Sequence, residues 1–162
     1  VNKDSIRFMM LNRSHDVELD FDFDKVKEKT KDNPVFYVQY AYARINSLHR
    51  TLKINLKSKI TLDEANFELN SNEEKIIRKI FEWPKIVESA SKKFEIHKIP
   101  FYLYDLSTLF HSYWSKGNEN KEYKFIENEQ IKRIEILAII NLVTIVIQNG
   151  MKILGVSLPN KM

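Results

Sequence analysis

The sequence predicts an all-α protein, a bundle of about six or seven helices, from three observations. Apolar residues recur at spacings of three and four along several long segments, as on the buried face of a helix. The 162 residues include only three glycines and four prolines, so few positions suit tight turns. The longest apolar run, residues 136–147, is shorter than the roughly 20 residues that span a bilayer. We therefore expect a central buried helix there and no membrane association.

Composition is that of one soluble globular domain. A chain of this length buries roughly 70% of its unfolded surface, and 43% hydrophobic with 30% charged residues is ordinary. The absence of cysteine excludes disulfides and thiolate metal sites, and is compatible with a reducing cytoplasm. The net charge of +4 permits polyanion binding without arguing strongly for it.

The first predicted helix runs from Asp4 to Asn12, with Asp4 as its cap and Ile6, Met9 and Met10 turned inward. Residues 17–24 then alternate apolar and acidic side chains, which is literally a strand pattern. Carboxylates alternating without histidine or glycine are weak signs of a metal site, so we predict none.

A second short helix is expected from Asp24 to about Lys31, followed by a long helix that ends near Lys53. Asn33 is a natural N-cap for the long helix, and Pro34 suits its first position. Its predicted core face consists of Val38, Ala41, Ile45, Leu48 and Leu52.

The middle of the chain begins with residues 54–72, a polar and irregular stretch predicted to be a loop with a short helical turn. Ser71 and Glu74 would form a capping box for a helix to about Trp83, and Pro84 would start the next. The inward stripe predicted for that helix consists of Ile86, Ala90 and Phe94.

Two long helices complete the prediction. The first runs from His97 to Lys116 and ends at Gly117 and Asn118. Its core stripe, the clearest periodicity in the chain, consists of Ile99, Leu103, Leu106, Phe110 and Tyr113. The second runs from about Asn128 to Leu154, weakened by Gly150 and terminated by Gly155.

Bond-making chemistry is not expected from these residues. None of the four histidines has the cysteine or His-Glu spacing that suits zinc, and no glycine-bracketed nucleophile or phosphate-cradling loop is present. We therefore predict no catalytic residue and no metal ligand in this chain.

RNA binding is better supported. On a helical wheel Tyr37, Tyr40 and Arg44 share a second stripe of the long helix, beside its core face. Two tyrosines and a guanidinium suit splayed bases and their phosphates, and Trp114 offers a further stacking surface. Arg44, Lys98 and Lys116 are candidate phosphate contacts. The alternative is that the tyrosines wedge against a neighbouring helix and that Trp114 is a packing residue at the rim.

Five segments together resemble the anticodon-binding domain of bacterial arginyl-tRNA synthetase. They are KDSIRFMMLNR, VELDFDFDKV, DNPVFYVQYAYARINSLHR, FYLYDLSTLFHSYWSKGN and NGMKILGVSLPNKM, in the family's order. The resemblance implies that residues 1–25 are the end of a junction after the catalytic domain, with 17–24 an extended linker. Residues 26–162 would be the helical anticodon-binding domain.

The resemblance also implies a function. The family's full enzyme joins arginine to tRNA in the cytoplasm, with ATP and Mg²⁺, whereas its ATP-binding signatures are absent from this sequence. The chain is therefore expected to be a piece without cofactor or activity of its own, monomeric, and a partner of arginine tRNA.

Family residues that approach the anticodon loop match Tyr37, Tyr40, Trp114 and Met162, and the central anticodon cytosine is the base read there. A terminal carboxylate or carbonyl beside Met162 could accept from its amino group. The sequence departs from the family at Tyr42, often histidine, and at Glu135, often small, which must face solvent or find a partner.

Two rival functions remain open. The aromatic stripes would serve a helical protein–protein interaction module if they were buried against another chain. The chain could also be the anticodon domain of another class I aminoacyl-tRNA synthetase.

Overall fold

The computed structural model describes residues 2–14, 16–18, 22, 24–53 and 68–162. Its α-helices are α1 (Lys3–Leu11), α2 (Pro34–Leu52), α3 (Ser71–Phe81), α4 (Trp83–Lys93), α5 (Lys98–Glu119) and α6 (Ile134–Leu154). Its smaller elements are 3-10 helices at Lys25–Lys27 and Lys121–Tyr123 and an antiparallel hairpin of Ile126–Glu127 with Gln130–Ile131. The all-α class is confirmed. Residues 54–67 of the loop predicted over 54–72, and the apolar positions Leu19, Phe21 and Phe23 of the alternating stretch, lie outside the described residues.

The centre of the bundle is α5, which packs against α2, α3, α4 and α6. Its predicted core stripe is confirmed, because all five side chains are at most 2% exposed. Gly150 of α6 lies so close to α5 that a Cβ there would stand 2.7 Å from Cδ2 of Leu103. The small residue therefore sets how closely α5 and α6 approach.

The long helix α2 begins as predicted. The Asn33 side chain accepts a hydrogen bond from the backbone N–H of Phe36 at 3.4 Å, and Pro34 occupies the first position. The Asn33 amide also donates to the carbonyls of Val26 and Glu28, both at 2.8 Å, which ties the preceding 3-10 turn to this helix. The core face is buried as predicted, with Leu52 only partly covered.

By length and composition alone α6 is apolar enough to cross a membrane, which the prediction from residues 136–147 did not anticipate. In this fold 61% of its most apolar window is buried, as in the core helix of a bundle. Glu135 in its first turn lies 3.6 Å from the Arg133 guanidinium, which is the partner it requires. Gly155 ends the helix with a φ of 65°, as predicted.

The predicted boundaries at Gly117 and Asn128 are wrong. Gly117 lies inside α5, and a Cβ there would stand 2.9 Å from the carbonyl oxygen of Tyr123. Because Gly117 has no side chain, the backbone at Tyr123 can pass close to α5, and the helix continues beyond the glycine. Asn128 and Glu129 form the hairpin turn, with φ of 50° and 59°, so α6 begins six residues later, at Ile134.

The predictions for α1 and for the start of α3 are also wrong. The cap of α1 is Asn2, whose side chain accepts from the Ser5 N–H at 2.7 Å. Its buried residue is Phe8, while Ile6 and Met10, both predicted to turn inward, are exposed. The capping box of α3 is formed by Asn70 and Glu73, one residue earlier than expected.

Phe94 is 89% exposed instead of inward, because it is the left-handed C-cap that ends α4, with a φ of 57°. The segment from Asp24 to Lys31 contains only the single 3-10 turn Lys25–Lys27. By contrast, Pro84 does lie in the first turn of α4, as predicted.

Candidate nucleic-acid interface

A groove of about 610 Å³ lies between α2, the end of α5, the hairpin and the tail that follows α6. Four of the five residues predicted to meet an RNA loop line it: Tyr40, Arg44, Trp114 and Met162. They come from three separate parts of the chain, so the fold brings them together.

One side of the groove is a stripe of α2. Tyr40, Arg44, Ser47 and Thr51 follow one another at spacings of four, three and four, and all four line the groove. The sequence analysis missed Ser47 and Thr51. The signal was present, because the same helical spacing that joined Tyr40 to Arg44 continues to both hydroxyl residues.

The Arg44 guanidinium contacts two aromatic rings from different helices. Its Cζ stands 4.4 Å from the ring centroid of Tyr40 and 5.1 Å from that of Trp114. Its Nη2 also donates to the Tyr40 hydroxyl at 2.6 Å. These cation–π contacts hold the guanidinium beside two aromatic rings that line the groove.

His111 of α5 is the second partner of Arg44, and the sequence analysis passed over it as an ordinary helical histidine. Its Nδ1 lies 3.2 Å from Nη1 of Arg44, and its Nε2 lies 3.2 Å from the carbonyl oxygen of Tyr37. Burial and, to a lesser extent, the nearby Arg44 charge lower the pKa of His111 to about 4, although the hydrogen bond to the Tyr37 carbonyl opposes this shift. The ring is therefore neutral near pH 7. Its position three residues before Trp114, on the same face of α5, could have drawn attention to it.

The two predicted tyrosines occupy different surroundings. Tyr37 does not line the groove; its ring packs 4.4 Å from that of His111 and 5.2 Å from that of Tyr104, and burial raises the pKa of its hydroxyl. The ring of Tyr40 is stacked 5.7 Å from that of Phe36 and 5.4 Å from that of His111, and it borders the groove. The packing alternative describes the position of Tyr37, whose contact with RNA stays a prediction.

The tail after α6 is fixed to α2 at two points. The Gln39 amide donates to the carbonyl of Ser157 at 2.9 Å, and Nη1 of Arg50 donates to that of Asn160 at 3.0 Å. These bonds direct the tail along α2 and bring Met162, 54% exposed, to the groove.

Trp114 both packs and borders open space. Its ring lies 5.9 Å from that of Phe110 and 5.4 Å, edge-on, from that of buried Phe125. A smaller pocket of about 230 Å³, which also includes Lys124, adjoins it. Trp114 therefore packs against the core, as the packing alternative predicted, and the same indole also lines the groove.

The groove is positively charged. Arg44, Arg50 and Lys161 line it, and none of the described residues around it carries a carboxyl side chain. Within the described part of the chain, no group of three or more histidine, cysteine or acidic side chains is placed to hold a metal ion.

The two lysines predicted to contact phosphate lie outside this groove. Nζ of Lys116 donates to the side-chain oxygen of Asn72 at 2.6 Å, near the end of α5. Lys98, 16 residues before Trp114 and thus about 24 Å away along α5, lies 2.5 Å from a Glu95 carboxylate oxygen. Any phosphate contact of Lys98 would involve another part of the RNA.

A family model described as the DALR anticodon binding domain matches residues 38–162, which include the whole groove. The chain belongs to the DALR anticodon-binding domain family. This DALR chain is 49% identical to the arginine–tRNA ligase of Pelagibacter ubique and 41% identical to that of Rhizobium meliloti. All of this chain is aligned in both cases, but only 28% and 29% of those proteins.

A solved structure agrees with this assignment. A Campylobacter jejuni protein assigned as an arginyl-tRNA synthetase superimposes on 98% of this DALR chain with a TM-score of 0.84 and 25% identity, over 33% of its own length. The chain thus spans under a third of the length of the curated relatives named above. The DALR match begins within α2, and the predicted boundary near residue 26 stays a prediction.

Proposed function

We propose that this DALR domain recognises the anticodon loop of arginine tRNA within an arginine–tRNA ligase. The observation that carries the proposal is the convergence of Tyr40, Arg44, Trp114 and Met162 on one cationic groove of about 610 Å³. Sequence-specific RNA recognition uses splayed loop bases, aromatic surfaces to stack on and polar groups at the base edges. The relatives named arginine–tRNA ligase support the choice of arginine tRNA.

The groove suits one unstacked base, which we take to be the central anticodon cytosine. The exposed parts of the Tyr40 and Trp114 rings supply the stacking surfaces, and the flexible Met162 thioether lies against the base. Arg44 keeps one N–H on each terminal nitrogen beyond its bonds to Tyr40 and His111, and these suit the acceptor atoms of cytosine. Tyr37 supports the wall from behind, and Lys116 and Lys98 are the outer candidate phosphate contacts.

The rest of the enzyme lies outside the proposed role of this chain. The full ligase would bind ATP, Mg²⁺ and arginine elsewhere and act in the cytoplasm. Residues 1–25 would form the end of the junction and residues 26–162 the anticodon-binding domain, monomeric and without a cofactor of its own. Incubation of the chain with ATP, arginine and tRNA should give no arginyl-tRNA above background, and reproducible turnover would overturn this division.

The decisive experiment titrates the chain with the arginine anticodon stem–loop and with a variant substituted at the central cytosine. We expect the cognate loop to bind at least about tenfold tighter, and its affinity to fall steeply with salt as counterions are released. An absence of RNA binding, or affinity indifferent to salt, would favour a protein–protein module. Tighter binding of another tRNA's loop would instead indicate a different class I synthetase.

A further inference from the structure

His111 joins the two long helices that frame the groove. It belongs to α5, is only 6% exposed, and directs both ring nitrogens to α2. One nitrogen meets the backbone carbonyl of Tyr37, and the other meets the guanidinium of Arg44, two helical turns further on. The ring therefore connects the α2 backbone to the side chain that carries the groove's central charge.

The chemistry of this bridge allows one arrangement of protons. An arginine side chain can only donate, so Nδ1 of His111 must accept from Arg44. A carbonyl can only accept, so Nε2 must carry the proton and donate to Tyr37. A protonated ring would have no acceptor for Arg44 and would set two cations against each other.

The aromatic rings alone do not fix Arg44. Cation–π contacts with Tyr40 and Trp114 favour a position near the two rings, but they are weakly directional and leave the guanidinium able to rotate. Hydrogen bonds at its edge remove that rotation, and two are present, to the Tyr40 hydroxyl and to His111. The Tyr40 hydroxyl is on α2 itself, whereas His111 anchors Arg44 to the opposite helix.

We propose that His111 is a positioning residue of the RNA site, whose neutral imidazole holds Arg44 so that its remaining N–H groups face the acceptor atoms of an anticodon base. The inference rests on the proposed function. It assigns His111 no contact with RNA. Its effect passes through Arg44, which is ordered before the loop arrives, so less ordering has to accompany binding.

Two substitutions of His111 separate the bridge from the packing of the ring. His111→Phe keeps an aromatic ring against Tyr37 and Tyr40 but removes both nitrogens. His111→Asn is smaller but places an amide oxygen near the position of Nδ1, so an acceptor for Arg44 returns. We expect His111→Phe to bind the cognate anticodon stem–loop about tenfold more weakly and to lose discrimination at the central base. His111→Asn should recover most of both, despite its poorer packing.

A double-mutant cycle with Arg44→Gln tests whether the effect passes through Arg44. In the Arg44→Gln background, His111→Phe should change RNA affinity by less than about twofold. Melting temperatures of all the variants are measured in parallel. The inference is overturned if His111→Phe binds and discriminates like the unchanged protein, whatever its melting temperature. It is also overturned if the loss is the same in both backgrounds, or if His111→Asn recovers nothing.

An NMR experiment without RNA distinguishes failure of this inference from failure of the proposed function. Nitrogen NMR of the His111 ring at pH 7 should show the neutral form protonated at Nε2, and Arg44→Gln should shift the Nδ1 resonance. A protonated ring, or a proton on Nδ1, would refute the bridge even if RNA binds. If the unchanged protein binds no arginine anticodon loop, the proposed function fails and the inference fails with it, whatever the NMR result.

Discussion

Arginines at the groove, near the C-terminal end of α5, donate to acceptors that carry no charge. Arg44 bonds to the hydroxyl of Tyr40 and the imidazole of His111, and Arg50 bonds to the backbone carbonyl of Asn160. These bonds order the two guanidinium groups without neutralising them. Because no carboxylate side chain among the described residues pairs with either one, their positive charge is available to a ligand in the groove.

The surface at the N-terminal end of α5 is different, although it is also rich in lysine. Nζ of Lys98 lies 2.5 Å from a carboxylate oxygen of Glu95. Nζ of Lys79 lies 3.1 Å from Asp105 and 3.3 Å from Glu82. Each of these cations has a carboxylate partner that offsets its charge.

The net charge of +4 does not reveal which surface can attract a polyanion, whereas the difference between the two ends of α5 does. A polyanion is attracted to cations whose charge is not offset by a neighbouring anion. A cation that donates to a carboxylate is offset, whereas one that donates to a neutral acceptor is not. Among the described residues, the groove combines cations that have no carboxylate side-chain partner with partly exposed aromatic rings. We therefore expect RNA contact there and little at the other end of α5.

The largest expected effect is the loss of folding stability when His111, the neutral acceptor for Arg44, becomes protonated. Because the pKa of buried His111 is about 4 in the folded chain and 6.5 is its usual value, protonation favours the unfolded state as pH falls through this window. The stabilisation by neutral His111 is complete above pH 6.5, and about 3 kcal/mol of it should be lost by pH 4. Denaturant unfolding at several pH values, compared with His111→Phe, isolates this loss because the carboxylates titrate in both proteins. Parallel pH profiles for the two proteins would contradict the expectation.

The next effect separates the two tyrosines of α2. Tyr40→Ala should weaken binding of the anticodon stem–loop by about 1–3 kcal/mol, because a stacking surface in the groove is lost. Tyr37→Ala should mainly lower the melting temperature, because its ring packs against His111 and Tyr104. Titration and thermal melting of both variants check this division. Equal losses of RNA affinity with unchanged melting would return Tyr37 to the RNA-facing stripe predicted from sequence.

A charge comparison tests the two ends of α5 directly. Arg44→Gln should lower the slope of log affinity against log salt concentration by about 1, with about a tenfold loss of affinity. Lys98→Gln is the matched control at the opposite end and should change the slope by much less, since Glu95 already offsets that charge. RNA titrations at several salt concentrations measure both slopes. A larger change for Lys98 would reverse the assignment of the cationic surface.

The smallest expected effect concerns Met162. Met162→Ala should weaken cognate binding by about 0.3–1.5 kcal/mol, the range of a thioether–aromatic contact. Met10→Ala is a matched control, because Met10 is 56% exposed and Met162 54%, but Met10 lies on α1 outside the groove. Titration with the cognate stem–loop compares the two, and equal affinities would remove Met162 from the site.

Periodicity within a helix was enough to predict several parts of this molecule. The core stripe of α5 and the start of α2 at Asn33 depend on local spacing and capping, and both are confirmed. The stripe that carries Tyr40 and Arg44 is local in the same sense. These features need no knowledge of which helices meet.

What could not be predicted depends on residues distant in sequence. Gly117 reads as a helix end, but the returning backbone at Tyr123 needs its small size inside α5. The hairpin turn at Asn128 and Glu129 has two residues of positive φ and no glycine, so its sequence signal is weak. His111 meets a residue 67 positions away, and no local pattern indicates that contact.

The attachment of the tail to α2 has a consequence for synthesis on the ribosome. The groove needs Tyr40 and Arg44, made early, and Met162, made more than a hundred residues later. The buried stripes of α2 and α5 are already complete when Tyr113 has been added. The residues that form the core of α2 and α5 are therefore synthesised well before the groove is complete. A chain released before residue 162 would lack the last wall of the groove.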